Sequence, residues 1–179
     1  MRRLIVEPKA DSSQPRYTLP LLETSNRIIV ELLDRQFDLL IESLRALTVS
    51  TTSNLLYKQT AAGSIGENML KSAGVIEQTF GGITANLWDD PFEWTLPETL
   101  STQARVLGYL DEVETLKKRA FVSLIDDGML LKLISVPSGE PCRLLELLLT
   151  TILQASDYRG RAAATLKLLS GEDATRFII

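Results

Sequence analysis

The stretch Gln154-Ala155-Ser156-Asp157-Tyr158-Arg159-Gly160-Arg161 sets polar and charged residues in the middle of a leucine-rich segment. On a helix, Gln154, Tyr158 and Arg161 stand four and then three residues apart, so they share one face. The phenol on that face could serve as a proton donor. The three residues could equally form a hydrogen-bonded core contact or a solvated stripe. The chain contains no histidine. That removes Ser-His and Cys-His pairs, imidazole metal ligands, and the side chain whose ordinary pKa lies nearest neutrality. Catalysis would have to use carboxylates, lysine, tyrosine or the single thiol, Cys142. Cys142 lies near a predicted helix amino terminus, which lowers a thiol pKa, but Glu140 opposes that, and a lone cysteine also serves simply to pack.

The whole chain bounds these possibilities. It has 179 residues, 45% of them hydrophobic and 23% charged, enough for a sizeable core in one domain. A net charge of −4 argues against a general nucleic-acid binder. One cysteine allows no internal disulfide, which fits a reducing, cytoplasmic setting. The apolar run Leu4 to Val6 is too short for a signal-peptide core, and no run approaches a membrane span.

Periodicity predicts the elements that must position these residues. Residues 1–20, with Pro8, Pro15 and Pro20, read as an arm, leaving 21–179 as the folded domain. Leu21 to Thr48 repeats apolar residues every three or four positions, the mark of an amphipathic helix, and VSTTSN reads as a loop. Ser64 and Glu67 fit a capping box opening a second helix that should end near Gly81-Gly82. ANLWDDPFEWTLPE, with both tryptophans, reads as a loop packed on the helices. A third helix spans Ser101 to Ile125, with Lys117 and Lys118 on its exposed side. Ile134 and Val136 allow a short extended segment before the last helix. Pro141 suits the first turn of that helix, which should run to Leu169 and stop at Gly171. Leucines on most sides of it predict a largely buried helix. The fold class is all-α, a four-helix bundle.

Two segments carry a family resemblance. GSIGENMLKSAGVIEQTF, Gly63 to Phe80, followed by QASDYRGRAAATLKLL, Gln154 to Leu169, resembles the DinB-type four-helix bundles, known as metalloenzymes and thiol-dependent transferases. The family pattern has a Ser-Ile-Gly-like start, a histidine and an acid six residues later on one helix, then His-x-x-x-His and Arg-Gly-Gln on the last. Ser64, Ile65, Gly66, Glu77, Arg159 and Gly160 match it, whereas Lys71, Gln154 and Tyr158 stand at the histidine positions. A lysine cation repels a divalent ion, glutamine is a weak neutral ligand, and tyrosine would first have to lose a proton. The resemblance therefore implies a DinB-like bundle whose metal site is lost, with no metal and no cofactor expected. In their place it implies a polar cluster of Lys71, Glu77, Gln154 and Tyr158. Two functions are open: a non-catalytic or regulatory homodimer, or a metal-free enzyme or small-ligand binder using a cleft around Lys71 and Tyr158.

Overall fold

The computed structural model describes residues 26–89, 98–137 and 139–171. The expected arm, and the part of the aromatic loop that carries Trp94, lie outside these residues. The described chain is all-α, with one two-stranded ribbon.

Helix α1, Ile28–Ser50, buries Val30, Leu33, Phe37, Leu40, Ile41, Leu44 and Leu47, the three- and four-residue spacing of a single face. Its amino terminus is capped from far along the chain. The Asp127 carboxylate accepts from the amides of Ile29 and Val30 at 2.9–3.1 Å, satisfying donors that a helix start leaves open. The expected VSTTSN loop contains the first residues of a short helix, α2, Ser53–Leu56, because Leu56 turns into the core and is fully buried.

Helix α3, Ile65–Ala85, opens on the expected capping box. Glu67 N–H donates to Ser64 Oγ at 3.2 Å, and Ser64 N–H donates to the Glu67 carboxylate at 2.9 Å. The helix runs through Gly81 and Gly82 and ends at Asn86, which takes the left-handed conformation at φ 55°. Gly82 lies within the helix because the Trp88 ring packs over it, leaving no room for a Cβ. Helix α4, Gln103–Ser123, is capped by the Thr102 hydroxyl, which accepts from Arg105 N–H.

The expectation for Lys117 is corrected: Lys118 is exposed, but Lys117 is only 1% exposed. Its ammonium lies 2.5 Å from Asp34 and 2.6 Å from Asp38 of α1, and 5.6 Å from the centre of the Phe121 ring. Two carboxylates one helical turn apart supply the charge that makes burial tolerable.

After a 3₁₀ turn at Asp127–Leu131, strand β1, Leu133–Ile134, pairs antiparallel with β2, Cys142–Arg143, with Ile134 opposite Cys142. The extended segment is present at Ile134, while Val136 lies beyond it. Pro141 precedes β2 instead of entering a helix; α5, Leu144–Ser170, begins three residues later and stops at Gly171, φ 68°. Nor is α5 largely buried. Leu144 and Leu148 are covered, but Leu153 and Leu168 are 71% and 73% exposed, so its leucines lie on both sides of a one-faced helix.

Each of α1 and α3 packs against both α4 and α5, so the four long helices form a ring in the order α1, α4, α3, α5. Phe37, Phe80 and Phe121 meet at its centre, with ring centroids 4.9–5.9 Å apart.

Candidate functional site: a cleft between α3 and α5

The seam between α3 and α5 is built from small and hydroxyl side chains. Ser72 Oγ donates to the Ala155 carbonyl at 2.7 Å, and Thr79 and Thr151 share a buried hydrogen bond of 2.7 Å. Thr151 Oγ1 also lies 2.8 Å from the Leu147 carbonyl. Since that carbonyl only accepts, the Thr151 proton goes to it and Thr79 donates to Thr151. Ser72, Thr79 and Thr151 are thus satisfied without any charged group.

Beside Thr79 and Thr151 the seam opens into a cleft of about 470 Å³. Val75, Gln78 and Thr79 line it from α3, and Glu146, Leu147, Thr150, Thr151 and Gln154 from α5. Val136, Pro137, Glu140 and Cys142 contribute from the ribbon, and Trp88 from the segment after α3. Trp88 is held in place at three points. Its ring packs on Gly82, its indole N–H donates to Asn86 Oδ1 at 3.0 Å, and its carbonyl accepts from Gln78 Nε2 at 2.8 Å.

The four residues expected to cluster fall in different surroundings. Gln154 lines the cleft. Lys71 is exposed, and its charge acts on Glu67 one turn back on α3. Glu77 is half-buried on the side of α3 that meets α4, where the Tyr109 hydroxyl donates to its carboxylate at 2.5 Å. Six residues along a helix turn a side chain through roughly 240°, so Lys71 and Glu77 face different neighbours. Burial raises the Glu77 carboxyl above its ordinary pKa; the Tyr109 bond lowers it in part, and Glu112 nearby raises it again. Tyr158 is half-buried on α5, with the Arg161 guanidinium 5.4 Å from its ring centre. Arg161 also pairs with Asp157 at 2.7 Å, so this end of QASDYRGR forms a local cluster along one helix.

The cleft presents two carboxylates, two amides, three threonine hydroxyls, a thiol and an indole around apolar walls. Among the described residues, no three histidine, cysteine, aspartate or glutamate side chains are grouped to hold a metal ion. Among the described helices, none is long and apolar enough to cross a membrane. The expectation that the tryptophan loop packs on the helices holds for Trp88, which lies on Gly82, whereas the Thr79–Thr151 pair was not foreseen. The one available signal was the run of small and hydroxyl residues along α3, which permits close helix approach. No family model matches the chain, and no curated protein matches it.

Proposed function

We propose that this chain is a DinB-type four-helix bundle that has lost the family's metal site and acts without catalysis, binding a small molecule in the α3–α5 cleft. The observation that carries this reading is the cleft itself. At about 470 Å³ it has the size of a small-ligand pocket, with apolar walls, a few convergent polar groups and a tryptophan fixed in advance. The DinB assignment rests on the Ser64-Ile65-Gly66, Glu77 and Arg159-Gly160 matches and on the ring of four helices. Lys71, Gln154 and Tyr158 at the family's ligand positions favour a metal-free role.

The test is a small-fragment thermal-shift screen of the protein beside Thr150→Trp, which fills the cleft from an exposed position on α5. Fragments that raise the melting temperature should lose that effect in the variant, while added nickel, zinc, iron or manganese should raise it in neither. Fragments that stabilise both proteins equally, or a metal that stabilises either, contradict the reading.

A homodimer is the second reading, favoured by Leu149 and Leu153, neighbouring apolar residues exposed on α5. Sedimentation as a dimer at micromolar concentration supports it; a monomer at high concentration ends it.

A further inference from the structure

We infer that the ligand of the α3–α5 cleft is an organic cation, an amine or quaternary ammonium on a short apolar body. This rests on the cleft being a ligand site. Glu140 on the ribbon and Glu146 on α5 put two carboxylates into the lining from separate elements, and no lysine or arginine is among the described lining residues. An anion entering here meets like charge from two directions and no counter-charge among the described lining residues, whereas a cation is drawn to both.

Trp88 is the second, independent feature. Trp88 lines the wall, an indole is the aromatic side chain that attracts ammonium groups most strongly, and this one is already positioned by Gln78, Asn86 and Gly82. Val75, Val136 and Leu147 offer the apolar body hydrocarbon to pack against. The net charge of −4 adds a weak long-range pull in the same direction.

The test uses three probes of nearly one shape and different charge: choline, 3,3-dimethylbutan-1-ol and 3,3-dimethylbutanoate. Each is titrated into the protein labelled with ¹⁵N, following the Trp88 indole N–H. Choline should shift that resonance and bind about fivefold or more tightly than the alcohol, with the carboxylate weakest. The combined change Glu140→Gln and Glu146→Gln should weaken choline by roughly fivefold and leave the alcohol unchanged, as expected for partly solvated charges. Raised salt should weaken choline alone. If the alcohol binds as well as choline, or the carboxylate binds best, the charge inference is overturned while the cleft stands as a binding site. If none of the three moves Trp88, the cleft reading fails and the inference with it.

Discussion

The seams α1–α4 and α3–α5 bury polar groups in opposite ways. Between α1 and α4 the groups are charged. Lys117 is sunk beneath Asp34 and Asp38, and Arg45 reaches Asp111 at 2.5 Å and Glu114 at 2.8 Å. Between α3 and α5 they are neutral: Ser72 on a carbonyl, and Thr79 with Thr151. A buried cation must keep its counter-charges close, so the first seam can open only by exposing an ion pair. Hydroxyls can exchange protein partners for water at small cost, so the second can open into a cleft beside its buried hydrogen bonds. The proposed ligand site adjoins the neutral seam, while ion pairs tie α1 to α4 in the charged one.

Removing the buried cation should have the largest effect. Lys117→Met leaves Asp34 and Asp38 facing each other without their partner, and should cost about 3 kcal/mol in urea unfolding, because both carboxylates retain some access to water. Adding Asp34→Asn and Asp38→Asn should recover much of the loss. A neutral Lys117→Met would erase the contrast between the seams.

The neutral seam should respond less and in a different pattern. Thr151→Val removes the acceptor for the buried Thr79 hydroxyl and should cost roughly 1–2 kcal/mol. Thr79→Val with Thr151→Val should be close to wild type, since no polar group is then left unsatisfied. A double variant worse than the sum of the singles would mean that the hydroxyls matter for more than each other.

Glu77 offers a smaller, pH-dependent test on the α3–α4 side. Burial holds its carboxyl above the ordinary pKa, so the folded chain binds this proton more tightly than the unfolded chain does. The stability from that proton is fully present below the ordinary carboxyl pKa and is lost as pH rises through the folded one. Glu77→Gln keeps an acceptor for Tyr109 and should therefore be more stable than wild type at neutral pH, with the gain fading in acid. Melting curves across pH that show the gain growing in acid would reverse the sign.

Local signals were legible in the sequence, and long-range ones were not. The reciprocal cap of Ser64 and Glu67 and the stop at Gly171 depend on a few adjacent residues, and both are found. The Asp127 cap on α1 joins residues 98 apart, so the chain around Leu21 carries no trace of where that helix begins. Lys117 looked solvated because the Asp34 and Asp38 that bury it lie on another helix. In the candidate site, Gln154 was visible as a polar interruption among leucines. Trp88, Glu140 and Glu146 come together only through the ribbon and the turn after α3, and periodicity does not encode that arrangement.

On the proposed reading, a small molecule binds beside the neutral α3–α5 seam. A ¹H–¹⁵N and methyl NMR titration with the fragments that stabilise the protein tests it most directly, comparing Trp88, Thr79, Thr150 and Thr151 with Asp34, Asp38 and Lys117. Saturable shifts confined to the first group are expected. Shifts centred on the α1–α4 seam, or spread evenly over both, would contradict it.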